Sequence, residues 1–385
     1  MKEKCVKKEK IKYKIMSIIF MVLIACPFML YIVLKPVIDK IDYGKRNATY
    51  TYFYENQYVD TAAGVPDTLA DVPVISVGSI RTFPQAFESW YNDRIPFKKL
   101  LIKLNSEINY NVFHQFVNSH VVVGKDGWLF YDEAVDASIG KWTLSQEELE
   151  KLAFDLQFTS DVLKSQGKEF ILFICPNKET LYSEYLPDYD YVRVEKTPVD
   201  QLIDYLGKNT TVKVIYPKKE IEAAISEHPE VDFYHRLDTH WNCAGAYIGA
   251  KALSEALGKQ LPEFSKVKYD EYDFNASDLT SLAGMPVNSG TKDYSIYGYG
   301  EETTVLDQWE YYDLIRYHND NAQENIIVFR DSFSTALSQH LSTLFNQSIY
   351  PLGDTDKQQI YEYDADIVVY EIVERDIRNL MSMGL

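Results

Sequence analysis

The chain has 385 residues, 46% of them apolar and 14% aromatic, which suits one large α/β body with appendages and excludes a disordered chain. The net charge of −18 is uneven: residues 1–40 hold nine Lys against Glu3, Glu9 and Asp39, a surplus of +6 that leaves about −24 on the other 345 residues. A body this acidic repels phosphate backbones, so nucleic acid is not an expected partner.

Residues 1–14 read as a basic cytoplasmic segment and 15–37 as a transmembrane signal anchor. Ile15 to Leu34 is twenty residues without a formal charge, long enough as a helix to cross a hydrocarbon core of about 30 Å. Seven Lys precede it, which keeps the N-terminus inside and sends the body out. A cleaved signal peptide is the competing reading, but no small-x-small site closes the run and Pro27 lies within it. Leu23-Ile24-Ala25-Cys26 is similar to a bacterial lipobox, whereas the apolar stretch from Pro27 to Leu34 favours an uncleaved anchor. The expected localisation is the cell membrane, single-pass, with the body extracytoplasmic. Cys175 and Cys243 then lie outside the cell, in no CxxC or Cys/His cluster, and are expected as packed thiols.

Residues 38–82 look like a stalk, and 83–385 form the body. It opens with a helical lead-in from Phe83 to Phe116, carrying Phe87, Trp90, Tyr91, Leu100, Leu101 and Leu104 at helical spacing. VVVGKDGWLFYDE then has two β-rich runs around a Gly-Lys-Asp-Gly turn, the pattern of a hairpin. Ser145 with Glu148 makes a capping box, the stripe Leu149, Leu152, Ala153, Leu156 and Leu163 follows, and Gly167 suits the C-cap. Phe170 to Cys175 is an unbroken apolar run, a strand covered on both faces. Helix Val199–Leu206, strand Val212–Tyr216, helix Ile221–Ser226 and a small-residue helix from Cys243 to Leu257 continue the alternation. Residues 262–322, rich in Tyr, Asp, Ser, Asn and Gly, break it as an insert: a lid, a cap or an extended loop. Strand Asn325–Phe329, helix Ser334–Phe345, strand Ile367–Tyr370 and a C-terminal helix complete the chain. Strands alternating with helices imply an α/β fold with a mostly parallel sheet and helices on both faces.

Reactive groups of such sheets collect in loops at the carboxyl ends of strands. Two loops fit: His235 to Asn242, reading HRLDTHWN, and Arg330-Asp331-Ser332-Phe333 after the strand IIVF. A serine at a strand-to-helix turn can project its hydroxyl at the sheet edge, but needs a base to take its proton. His240 is the candidate base, and Asp238 the group that holds its tautomer. Each half alone is weak, since a Ser after a strand is commonly an N-cap and a lone His commonly structural. A metal site of Asp238, His240 and a distant carboxylate stays open without HxH or HExxH to support it, so neither metal nor cofactor is expected.

Asp238-Thr239-His240-Trp241-Asn242, followed some ninety residues later by Asp331-Ser332-Phe333-Ser334, resembles the SGNH-hydrolase-like proteins of the alginate O-acetylation type and their Firmicutes relatives, the DHHW family. Val123-Gly124-Lys125-Asp126-Gly127-Trp128-Leu129-Phe130 and Pro176-Asn177-Lys178, leading to Tyr182 and Leu186-Pro187, agree with it. The resemblance covers about residues 83–385 and implies a flavodoxin-like three-layer α/β/α fold with a Ser-His-Asp triad in permuted order. It makes Ser332 the nucleophile, His240 the general base and Asp238 its orienter. It also implies transfer of an acetyl group from a membrane-bound O-acyltransferase partner to a cell-surface or secreted polysaccharide, through an acetyl-serine.

Arg330 departs from the family pattern, which often has Gly there, and can offer a cation to an oxyanion or an anionic glycan. Asn177, Lys178, Trp241 and Arg330 are the candidate substrate-binding residues, Trp241 by stacking on a sugar. The thirty tyrosines, dense between 270 and 317, suit a glycan surface as well as the wall of the insert. An acetylesterase, or a non-catalytic scaffold that holds polysaccharide, remains the alternative.

Overall fold

Two units make up the chain, Met1–Asn111 and Val112–Leu385. The computed structural model describes residues 81–92, 98–116, 120–188, 196–275, 277–285, 291–300, 303–308, 313–353 and 357–381, with a few isolated positions before 81. The basic segment, the apolar run of 15–37 and nearly all of the 38–82 stalk lie outside the described residues. Among those described, no helix is long and apolar enough to cross a membrane. In the first unit, α1 (Phe83–Asn92) and α2 (Lys98–Ile108) form where the helical spacing places them, and the Phe87 ring packs 6.0 Å from Phe83 and 5.7 Å from Trp90.

The second unit begins with β1 (Val121–Val123) and β2 (Leu129–Tyr131), an antiparallel hairpin whose turn holds Asp126 at φ 52° and Gly127 at φ 79°. Such left-handed backbone is why Gly follows Asp there. After α3 (Asp132–Ser138), the long α4 (Gln146–Ser165) starts on a complete capping box between Ser145 and Glu148 and stops at Gly167, φ 79°. Then come β3 (Glu169–Cys175), the single turn α5 (Lys178–Leu181), α6 (Pro198–Asn209), β4 (Lys213–Ile215), α7 (Lys218–Glu227) and α8 (Cys243–Ala256). Within the insert, β5 (Lys268–Phe274) and β6 (Thr291–Tyr297) pair as an antiparallel ribbon, with α9 (Asp278–Leu282) between them. The chain continues as β7 (Thr304–Gln308), β8 (Leu314–His318), β9 (Ile326–Phe329), α10 (Ser334–Leu341), β10 (Gln347–Pro351), α11 (Gln359–Glu362) and β11 (Ile367–Val373).

Seven strands form the main sheet in the order β4-β3-β11-β9-β10-β8-β7. The first five are parallel; at the edge β8 pairs antiparallel with β10, and β7 antiparallel with β8. The sheet is therefore mixed. The reason lies in the insert, half of which is neither lid nor loop: β8 buries Ile315 and Tyr317 and covers the open edge of β10.

Alternate residues of β3 feed opposite cores, which explains its unbroken apolar run. Ile171, Phe173 and Cys175 join Trp241, Ala244, Tyr247, Phe333 and Leu337 on one face; Phe170, Leu172 and Ile174 join Leu152, Leu156, Leu202 and Leu206 on the other. Helices thus cover both faces, giving three layers. The C-terminal segment Glu374–Met381 is a 3-10 helix where the sequence suggested an ordinary one. Its buried residues Glu374, Ile377 and Leu380 recur every third position, the period of that tighter coil.

The small residues of α8 have a specific use. A Cβ on Gly245 would stand 2.1 Å from the Phe233 carbonyl oxygen, and one on Gly249 would stand 2.9 Å from the Trp241 ring. Only glycine lets α8 approach the loop between α7 and α8 that carries His240. Gly245→Ala is expected to destabilise the protein by roughly 1–3 kcal/mol, the usual range for overpacking, in chemical denaturation.

Candidate active site

The HRLDTHWN stretch is a tight loop closed by an isolated antiparallel bridge between Tyr234 and Trp241, and the His235 N–H donates to the His240 carbonyl at 3.2 Å. Asn242 ends it as the N-cap of α8, its side chain accepting from Gly245 N–H at 3.1 Å. The second loop turns from β9 into α10. There Asp331 accepts from Phe333 N–H and Val373 N–H, both at 2.8 Å, which pins the turn to β11 and leaves Ser332 exposed between half-buried Asp331 and buried Phe333.

Across these loops three side chains form a continuous chain. The Ser332 hydroxyl donates to His240 Nε2 at 2.6 Å, and His240 Nδ1–H donates to Asp238 Oδ1 at 2.7 Å. Asp238 Oδ1 also accepts from His240 N–H at 3.0 Å, and Oδ2 accepts from Asp278 N–H at 2.8 Å. Burial opposes charge on Asp238, but the His240 hydrogen bond and charge, helped by His235 and the Asp278 N–H, hold its carboxyl well below the usual range. Burial likewise opposes an imidazolium at His240, yet the hydrogen bond and charge of Asp238, with Asp278 adding, raise its pKa above the ordinary 6.5. The arrangement can activate a hydroxyl and stabilise the cation that results.

The four candidate substrate-binding residues are all buried, and each turns inward. Lys178 Nζ donates to the carbonyls of His235 (3.1 Å), Arg236 (3.3 Å) and Asp238 (2.6 Å), so it anchors the histidine loop from below. Desolvation lowers its pKa to about 8, against the pull of Glu179, Asp278 and Asp238. Asn177 is fully buried and starts α5; its N–H donates to Glu374 at 2.9 Å, and its amide has no partner among the described residues. Trp241 is 1% exposed and cannot stack on a sugar. Its indole N–H donates to the Phe333 carbonyl at 2.9 Å, tying the two loops together one residue beyond His240 and Ser332. Arg330 is 3% exposed, and its guanidinium donates to the Tyr350 carbonyl (3.3 Å), the Asp331 carbonyl (3.0 Å) and Thr335 Oγ1 (3.1 Å). That geometry corrects the expectation that Arg330 offers its cation to a glycan or an oxyanion: it buttresses the serine turn.

Sequence reasoning missed three acids and one base. Asp278, at the start of α9 in the insert, accepts from Thr239 N–H at 2.9 Å and from the Thr239 hydroxyl, with Oδ2 3.7 Å from His240 Nδ1. Glu371 lies beneath the serine turn, accepting from Asp331 N–H (3.0 Å), Ser334 Oγ (2.8 Å) and Cys175 Sγ (3.1 Å); burial and the Asp331 charge push its pKa well up. Glu374 accepts from Asn177, Thr180 and Tyr216. The base is Arg375, which lies against the Phe333 ring. Pairing an acid with a strand 40 residues away has no local signal. Asp238, His240 and Asp278 bring ligand atoms within 4.8 Å of one another. In this structure these side chains are engaged in hydrogen bonds with one another and with backbone N–H groups of the two loops.

Residues 121–293 match the family described as "SGNH hydrolase-like domain, acetyltransferase AlgX". Among curated proteins, "Probable alginate O-acetylase AlgJ" of Pseudomonas syringae pv. tomato is 29% identical over 178 residues, 46% of this chain and 43% of that protein. Its namesake from Pseudomonas aeruginosa is 26% identical over 195 residues, 50% of this chain and 45% of that protein. The chain thus spans less than half the length of these relatives. Among solved structures, Bacillus cereus PatB1 aligns with a TM-score of 0.51 at 20% identity, over 67% of this chain and 96% of that one. A DHHW family protein from Eubacterium siraeum aligns with a TM-score of 0.51 at 15% identity, over 67% and 92%. The resemblance drawn from the motifs is borne out, and the fold is SGNH-like.

Asp238→Asn should leave the fold intact yet lower kcat for an acetyl ester by about 10³–10⁴-fold through loss of the imidazole tautomer. A base must be neutral to take a proton, so with the His240 pKa raised, a reaction that uses it should show kcat/KM climbing with pH through a midpoint above 6.5. In Asp278→Asn the midpoint should move down, since one of the charges raising it is gone; a pH–rate profile reads both. Lys178→Met leaves buried carbonyls unsatisfied and should lower the unfolding free energy by roughly 2–4 kcal/mol, read by denaturant titration.

Proposed function

We propose that this chain, through its SGNH-like domain, is a membrane-anchored extracytoplasmic O-acetyltransferase acting on a cell-surface or secreted polysaccharide. The observation that carries this reading is the unbroken hydrogen-bond chain from Ser332 through His240 to Asp238 at the carboxyl edge of the sheet. The relatives named as alginate O-acetylases support the reaction class.

In the first half-reaction Ser332 Oγ attacks the acetyl carbonyl of a donor while His240 Nε2 takes the hydroxyl proton. The tetrahedral intermediate collapses as His240 returns that proton to the leaving group, leaving acetyl-Ser332. In the second, His240 deprotonates a sugar hydroxyl, which attacks the acetyl-serine; the proton then returns to Ser332. Asp238 keeps Nδ1 protonated in both halves and offsets the imidazolium charge. The apolar run of 15–37 supports a single-pass anchor that would hold this body beside a membrane-bound O-acyltransferase as acetyl donor. With water in place of the sugar the same steps hydrolyse the ester, so acceptor binding and water exclusion separate a transferase from an esterase.

The test is incubation of the full chain in detergent with a chromogenic acetyl ester, with and without an oligosaccharide acceptor, followed by mass analysis of sugar and protein. Acetylated sugar and an acetyl group on Ser332 are expected, both absent in Ser332→Ala. Hydrolysis without sugar acetylation across a panel of acceptors would assign an esterase. Undiminished glycan acetylation by Ser332→Ala in cells would sink the catalytic reading altogether.

A further inference from the structure

The insert grips the histidine loop at several points. Ser277 Oγ donates to the Leu237 carbonyl, Asp278 N–H donates to Asp238 Oδ2 at 2.8 Å, and Thr291 Oγ1 accepts from Leu237 N–H at 3.2 Å. These contacts use only backbone and hydroxyl groups of the insert. The Asp278 side chain adds a charge to them: Oδ1 accepts from Thr239 N–H at 2.9 Å, Oδ2 accepts from the Thr239 hydroxyl, and Oδ2 stands 3.7 Å from His240 Nδ1.

An acid at the first position of a helix is commonly explained by the helix itself, through its cap or its positive end. Here Ser277 is the cap, accepting from Thr280 N–H at 3.2 Å, while the Asp278 carboxylate bonds to Thr239 of the neighbouring loop. Three oxygens therefore approach Nδ1: Asp238 Oδ1 at 2.7 Å, Thr239 Oγ1 at 3.4 Å and Asp278 Oδ2 at 3.7 Å. Because the Thr239 hydroxyl gives its hydrogen to Asp278, its oxygen turns lone pairs to Nδ1–H. Burial and the Asp238 charge push the Asp278 carboxyl above its usual range, so the fold resists ionising this side chain. An Asn of the same shape would keep the Thr239 bonds without that repulsion. Hydrogen bonding gives no reason for the charge; the imidazole does.

We propose that Asp278 is a second orienting acid of the catalytic histidine, its charge placed beside Nδ1 so that His240 passes through its imidazolium form between two carboxylates. The inference rests on the reading of His240 as the base of acyl transfer. As Ser332 Oγ bonds to the acyl carbon its proton goes to Nε2, Nδ1 keeps its own, and the ring stays positive until a proton leaves with the departing oxygen. Burial and the Arg375 charge oppose that cation, whereas Asp238 and Asp278 favour it. His235 in turn supports the charge on Asp238, and Lys178 that on Asp278. The nearest ring is Phe333, 4.9 Å from the imidazole between centroids, and it is uncharged. Asp278 touches no reacting atom, so its role is positioning, and the insert that carries it becomes part of the catalytic machinery.

The test compares wild type, Asp278→Asn and Asp278→Glu in the full chain. It reads Ser332 acetylation by a chromogenic acetyl ester, stability in denaturant, and the titration of His240 by NMR of isotope-labelled histidine. Asp278→Asn should lower kcat for acylation by about 10-fold, a part of the roughly 10²–10⁴-fold that a positioned base contributes, with KM for the ester little changed. Its stability should equal or exceed that of wild type, and His240 should titrate at lower pH. Asp278→Glu, which keeps the charge, should acylate faster than Asp278→Asn and return the titration toward that of wild type. A position governed by shape gives the reverse order, with Asn near wild type and Glu impaired, and that result overturns the proposal. So do an Asp278→Asn variant that fails to fold, and one with unchanged His240 titration. If Asp278→Glu does not fold, the His240 titration of Asp278→Asn decides alone. Absence of acetyl-Ser332 in wild type would fail the reading of the site first; the titration still reports the Asp278 charge, so the two failures are told apart.

Discussion

A hydrogen bond of 2.6 Å from Ser332 to His240 joins two loops 92 residues apart in the chain, and most of the polar structure around it serves to hold that distance. A second bond runs beside it, from the Trp241 indole to the Phe333 carbonyl at 2.9 Å, so the loops are tied by adjacent residues on each side. Trp241 can sit there only because Gly245 and Gly249 open the surface of the helix against it. A displacement of 1 Å between reacting groups can cost about 10²-fold in rate, and the Trp241 ring, turned to the core, holds the two loops against such a shift.

Each loop also has its own floor. Beneath the histidine loop lies Lys178, a buried cation shared among three carbonyls, and above it the insert closes on Asp238 and Thr239 through Asp278. Beneath the serine turn lie Glu371, which accepts from its N–H and hydroxyl groups, and Arg330, which donates to its carbonyl. Buried ionisable groups are costly unless every lone pair and proton is met. Here they are met by backbone groups of the two loops, so the charges stabilise a geometry more than they stabilise the fold.

Local signals made much of the molecule legible in advance. The capping box at Ser145, the Gly167 terminus, the Asp126-Gly127 turn and the apolar run of β3 are decided by neighbours within a few residues, and each formed where the sequence put it. The alternation of strands and helices implied the parallel core, but β7 and β8 paired antiparallel at its edge because β10 offered them an open side. Asp238, His240 and Ser332 were found because their residue types suit one chemistry; Ser332 does follow a strand, whereas the loop of Asp238 and His240, expected at a strand end, lies between α7 and α8. Asp278 and Arg375 carry no such mark: an acid in a polar insert and an arginine after a strand are ordinary in sequence.

By itself, then, the sequence determined the α/β alternation, the residue types able to run acyl transfer, and an apolar N-terminal run that lies outside the described residues. Which lysine, tryptophan and arginine face inward, only the tertiary structure decided. Burial and hydrogen-bond partnership are properties of packing between strands that the chain brings together from far apart, and no local spacing encodes them.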